Sequence, residues 1–136
     1  MDTQGGAVTI QTDLYDYVHD FIRLESGYEQ CAVALSLAGP AVQAPYIEIT
    51  MIRHERTKTT GVTSGVYRTE FEIECWHTNT MKAEEMAALV SGLLQDYAGE
   101  MGTTQITGTR IYNEFSGADS DAESFYRSFT VLFTHE

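Results

Sequence analysis

The sequence predicts an α+β domain: an antiparallel sheet of about four strands, two main helices packed on one face, and a long protruding hairpin loop. Three observations predict it. Residues 67–77, YRTEFEIECWH, alternate strictly, with Tyr67, Thr69, Phe71, Ile73 and Cys75 on one side and Arg68, Glu70, Glu72 and Glu74 on the other. A period of two belongs to a strand with one buried and one wet face. Residues 80–97 instead repeat Met86, Leu89, Val90, Leu93, Leu94 and Tyr97 at helical spacing. The segments also follow one another as helix, hairpin, helix, hairpin, so two helices can cover one face of an antiparallel sheet and leave its Glu/Ser/Thr-rich face in water.

Taken in order, residues 1–12 are polar and Gly-containing and are expected as a flexible tail before one domain, residues 13–136. Asp13 is expected to cap a helix that carries Leu14, Val18, Phe21 and Ile22. A short helix is expected over Tyr28–Leu35, before Gly39-Pro40 and Pro45 end regular structure. Residues 46–54, YIEITMIRH, alternate as a strand, with Ile47, Ile49 and Met51 on one face, Glu48, Thr50 and His54 on the other, and Ile52 as an interruption. The polar stretch ERTKTTGVTSG, residues 55–65, then reads as the loop of an antiparallel hairpin, longer than a tight turn requires.

Thr80 is placed as the N-cap of the second helix, with Glu84 and Glu85 near its positive end and Gly99 and Gly102 as its stop. TQITGTRIYNEF and FYRSFTVLFTH close the chain as strands around the acidic turn SGADSDAES. Gly108 marks a bulge, and Phe125, Phe129, Val131 and Phe133 share one face.

With 136 residues the chain fits a single compact domain with a real core. Its net charge of −12 opposes nonspecific binding to nucleic acid or to an anionic membrane, since both need a positive surface. No run approaches the roughly 20 apolar residues that span a bilayer, and the N-terminus lacks a secretory signal. Cys31 and Cys75 form no disulfide framework and are expected as free thiols in a reducing compartment, Cys75 packed as a small apolar residue.

Candidate chemistry is sparse. Cys75 and His77 lack the four-ligand spacing of a zinc site, and Cys75 continues the apolar series of Phe71 and Ile73 instead of facing a cleft. GVTSG and GEMG carry no P-loop lysine. SGADSDAES lacks the EF-hand spacing. Carboxylates in a row on an exposed strand stay solvated and unsuited to acid–base work. The expectation is a protein that is not an enzyme and uses no cofactor or metal. Among eight Lys and Arg, Arg53, Arg56 and Lys58 fall together at the predicted hairpin tip, as a docking arm for an acidic patch on a partner would.

The stretch APYIEITMIRHERTKTTGVTSGVYRTEFEIECWHTNTMKAEEMAALVSGLL, with the closing strand YRSFTVLF, resembles the tail-completion or tail-terminator proteins of long-tailed bacteriophages. The resemblance covers residues 44–136 and, more weakly, the first helix; SGYEQCAVALSLAGPAVQ, residues 26–43, has no matching counterpart. It implies a structural protein of the virion tail or neck, assembled in the host cytoplasm. There it forms a ring, typically of six subunits, on the tail tube protein, stops tube growth and joins head–tail connector or neck proteins while DNA passes through. In such a channel Glu48, Glu70, Glu72 and Glu74 are expected to line the wall, because Lys or Arg contacts would bind phosphate. Like-charge neighbours in that row cost a few tenths of a kcal/mol or more per pair. Two other readings stand beside it: a head-side neck or connector protein, and a small-ligand-binding α+β domain with a pocket between sheet and helices.

Overall fold

A computed structural model describes residues 3–35, 44–59, 62–121 and 123–136. The elements are α1 (Thr3–Arg23), β1 (Ala32–Leu35), β2 (Tyr46–Thr59), β3 (Val62–His77), α2 (Thr80–Leu94), β4 (Gly99–Met101), β5 (Thr104–Asp119) and β6 (Ser124–His135). The strands form one six-stranded sheet in the order β1-β2-β3-β6-β5-β4. β1 runs parallel to β2 and the remaining neighbours are antiparallel. The class is α+β, but the expected antiparallel sheet of about four strands is corrected to a mixed sheet of six.

The two additional strands are short and lie at the edges. Ala32–Leu35 was expected in a helix, yet Val33 sits opposite Ile47 and Leu35 opposite Ile49. Four apolar residues carry no periodicity that separates strand from helix, so the partner strand decides. The expected hairpin loop is also corrected. β2 and β3 stay paired through Lys58↔Thr63 and Thr59↔Val62, so the Thr-rich, β-branched stretch extends the strands. Residues 60–61 lie outside the described residues. β6 ends opposite Tyr67, and beyond that point β2 and β3 continue as a two-stranded arm.

α1 begins at Thr3, ten positions before Asp13, so residues 3–12 are helical and Asp13 sits inside the helix instead of capping it. Its Oδ2 accepts from the Thr103 N–H at 3.1 Å, the Thr103 hydroxyl at 3.1 Å and the Thr104 hydroxyl at 2.6 Å, fastening α1 to the β4–β5 turn. α2 is capped by Asn79, one residue before the expected Thr80, and the Asn79 side chain accepts from the Lys82 N–H at 3.1 Å. Gly99 lies in β4 and Gly102 in the following turn, both beyond the end of α2 at Leu94.

Ile10, Leu14, Val18 and Ile22 of α1 and Met86, Ala87, Val90 and Leu94 of α2 pack against Ile47, Ile49, Phe71, Ile73, Cys75, Phe129, Val131 and Phe133 of the sheet. The strand residues in this core are alternate positions, so both helices cover the same face. Burying each large apolar side chain contributes roughly 1.5–3 kcal/mol, and this one-sided core leaves the other sheet face to interact. No described helix is long and apolar enough to cross a membrane.

Candidate functional site

The face away from the helices is ordered in bands across β2, β3, β6 and β5. An aromatic band joins Tyr46, Trp76 and Tyr126 and ends at Gly117. The next two bands are Glu48–Glu74–Ser128–Phe115 and Thr50–Glu72–Thr130–Tyr112, followed by Arg53–Glu70–Leu132–Arg110. The face thus changes along the strands from aromatic to acidic to mixed charge, with Glu55 opposite Arg68 one step further.

Local irregularities build these bands. In β2, Met51 pairs with Phe71 and Arg53 with Glu70, so Ile52 is an extra residue. That bulge accounts for the interruption visible in the sequence and leaves Ile52 half exposed. A second bulge between Tyr112 and Phe115 includes Asn113 at φ 55°, and it returns Phe115 to the face beside Ser128. At Gly117 a Cβ would lie 2.5 Å from the Tyr126 ring, so only glycine lets that ring cross β5. Tyr126 then meets Trp76 at 4.7 Å between centroids, Trp76 stacks on Tyr46 at 5.8 Å, and Phe115 meets Tyr126 edge-on at 6.1 Å.

All four sequence-predicted glutamates, Glu48, Glu70, Glu72 and Glu74, lie on this face and are partly exposed. Partial burial, and then the charge of Glu74, push the Glu48 carboxyl above the usual range. Burial also raises Glu72, followed by the charge and hydrogen bond of Glu74 and the charge of Glu48. The Trp76 indole donates to Glu74 Oε1 at 3.2 Å. Between the acidic β3 row and the β5 side chains, Ser128 is fully buried and Thr130 is 6 % exposed.

The three basic residues expected to act together do not share a face. Arg53 is exposed beside Glu70, on the acidic side. Arg56 pairs with Tyr67 on the opposite side; its guanidinium donates to the Tyr67 hydroxyl and lies 5.1 Å from that ring's centroid. Lys58 continues the arm opposite Thr63. The residues that join Arg53 are Arg68 and Arg110, both exposed. Arg68 was legible as an even-numbered position of β3. Arg110 was not, because shifts at Ile106/Gly108 and Tyr112/Phe115 break the alternation of β5.

At the base of the arm, on the helix-bearing side of the sheet, the Thr69 hydroxyl lies 2.7 Å from His54 Nδ1 and 2.7 Å from His135 Nε2. One hydroxyl hydrogen can serve only one ring, so Thr69 donates to one and accepts from the other. Burial, then the charge of His54, push His135 down to about 4. Among the described residues no three His, Cys, Asp or Glu side chains are grouped to hold a metal ion. A cavity of about 530 Å³ opens at the β5–β6 turn, where exposed Thr78, Asp119, Ser120 and Glu123 surround Phe125. That cavity does not lie between sheet and helices, whereas one of about 300 Å³ does, between Glu84, Ala87 and Ser91 of α2 and Glu114 and Arg127 of the sheet.

No family model matches the chain, and no curated protein matches it. A chain from the virion of a native gene transfer agent particle has a similar structure. It aligns with a TM-score of 0.59 at 15% identity, over 88% of this chain and 91% of that one. A second solved structure, under a name that describes no function, aligns with a TM-score of 0.57 at 13% identity, over 100% of this chain and 96% of its own. At these identities the likeness is one of fold.

Proposed function

We propose that this chain is a structural, non-catalytic subunit of a phage-like virion. In this reading it forms a hexameric ring that caps the tail tube, stops its growth and joins tail to head in the neck region, after assembly in the host cytoplasm. The observation that carries the reading is the fold shared with a gene transfer agent virion chain over nearly the whole length of both. The sheet's edges support a ring. β1 covers only Tyr46–Ile49 of β2, and β4 covers only Thr104–Ile106 of β5. Among the described residues the outer sides of β2 from Thr50 and of β5 from Thr107 therefore carry no strand. Open edges invite pairing with another chain. Two unlike edges favour head-to-tail contacts, which close into rings when the rotation allows.

Charge fits passage of DNA without capture. Each copy brings a net charge of −12, so a ring of copies offers little cationic surface for phosphate and would release few counterions on contact. The tail tube protein lies on one side of the ring and head–tail connector proteins on the other. Electron microscopy of particles made without this protein tests the reading. Filled heads beside unattached tails are expected, and normal joined particles would overturn it. Finished tails with heads lacking their neck would move the protein to the head side.

A further inference from the structure

Ser128 marks the centre of a seat on the acidic half of the sheet face. It stands between Glu74 and Phe115 in register, with Tyr126 and Thr130 two residues away on its own strand. Although its side chain leaves the sheet away from the helices, it is fully buried beneath these neighbours, and its hydroxyl has no hydrogen-bond partner among the described residues. Buried hydroxyls are normally paired. Around it stand the carboxylates of Glu48, Glu72 and Glu74, acceptors when ionised, whose mutual repulsion no cation in their bands relieves. The rings of Tyr46, Trp76 and Tyr126 border the same spot. What this set of groups lacks is a positively charged N–H donor with an apolar stem.

We propose that the seat receives an arginine side chain from the mixed-charge, arginine-bearing end of the same face on a second copy of this chain. The inference rests on the ring reading and names the contact that holds neighbours together. Arg53, Arg68 and Arg110 gather at the far end of the same face, all exposed. On β3, Glu74 and Arg68 are six residues apart, roughly 20 Å at about 3.3 Å per residue, too far to meet within one copy. Copies displaced along the strand direction bring the two ends together. Guanidinium is the suitable cation, because its planar fork bonds carboxylates in pairs and stacks on aromatic rings. Seat and arginines lie at opposite ends of one face, so in a ring each copy offers its arginines to one neighbour and its seat to the other, a heterologous contact. Glu48, Glu72 and Glu74 then serve as an interface between copies instead of a bare channel wall.

The test compares full-length wild type with two sets of variants by light scattering after size exclusion. One is Glu48→Gln with Glu74→Gln; the other is Arg53→Gln, Arg68→Gln and Arg110→Gln. Every changed side chain is exposed or half-exposed, and thermal melts check that each variant folds. Each set is expected to weaken self-association at least about tenfold, as loss of charge-assisted contacts does. An equimolar mixture of the two is expected to give heterodimers and nothing larger, since each chain retains one working half. Raising salt from about 0.05 M to about 0.5 M should weaken the wild-type oligomer without any substitution. Variants that associate like wild type, or an oligomer indifferent to salt, would overturn the inference and leave the ring reading standing. Wild type that stays monomeric both alone and on isolated tails would overturn the ring reading itself.

Discussion

The Thr104 hydroxyl donates to the Asp13 carboxylate at 2.6 Å, joining the middle of α1 to the start of β5 across 91 residues. Thr104 is 3 % exposed, and the same oxygen of Asp13 takes the N–H and hydroxyl of Thr103. Asp13→Ala removes the acceptor for all three donors. It is expected to cost roughly 1–3 kcal/mol in denaturant unfolding, the range for a buried donor left unpaired. Gly102 stands over this contact at φ 58°, and a Cβ there would lie 2.3 Å from Asp13 Oδ1. Gly102→Ala should also destabilise, and by less in the Asp13→Ala background than alone, since part of the clash is gone.

The Tyr28 hydroxyl donates to Glu85 Oε1 at 2.6 Å, and Lys82 lies 3.6 Å from the same oxygen. The Tyr28 hydrogen bond is the main cause of a Glu85 carboxyl held below its usual range. A carboxylate lowered by folding stabilises the protein above its unfolded pKa, about 4.3, and that stability is lost as pH falls through the lower folded value. Tyr28→Phe should therefore lower the melting temperature at neutral pH and flatten its decline on acidification. An unchanged acid slope in calorimetry would show that this hydrogen bond does not set the Glu85 titration.

His135 is 1 % exposed and titrates near 4, below the ordinary histidine value. The unfolded chain takes up a proton near 6.5 and the folded chain only near 4, so stability is full above about 6.5, declines as pH falls between these values, and levels off below. The whole decline is roughly 3–4 kcal/mol. His135→Gln should flatten that interval in urea unfolding at fixed pH values. A variant with the wild-type slope would assign the proton uptake to other groups.

Cys31 and Cys75 are both fully buried. Burial pushes the Cys31 thiol up to about 11 and raises Cys75 further, with the neighbouring Cys31 and Glu74 adding to the latter shift. Since the thiolate is the reactive form, native protein near pH 8 should label with a thiol reagent at least about a hundredfold more slowly than unfolded protein. Fast labelling of either cysteine in the folded state would contradict its burial.

Periodicity made the central elements legible. Alternation from Tyr67 to Cys75 and at Ile47, Ile49 and Met51 identified β3, the start of β2 and their inner and outer faces. Helical spacing from Met86 to Leu94 identified α2. These segments bury one side over several periods, so the pattern outweighs local propensity. The edge strands were not legible: β1 and β4 have four and three residues, too few for a period. The Thr-rich arm was misjudged because polar composition suits a loop and a solvated two-stranded ribbon equally, and only the pairing of Lys58 with Thr63 decides between them.

The sequence by itself determined that one sheet face is acidic and the other apolar, that the helix of residues 80–94 packs on the apolar side, and that the whole carries strong negative charge. Those properties follow from residue spacing and from a sum over side chains, neither of which needs coordinates. Only the tertiary structure decided which residues become neighbours across strands. Two bulges rotate Arg53 onto the face of Glu70 and return Phe115 to Ser128, the absence of a side chain at Gly117 admits Tyr126, and register sets Ser128 beside Glu74. One inserted residue reverses every later side chain on a strand. Residues distant in the chain therefore come to share a face through hydrogen-bond register that one-dimensional spacing does not encode.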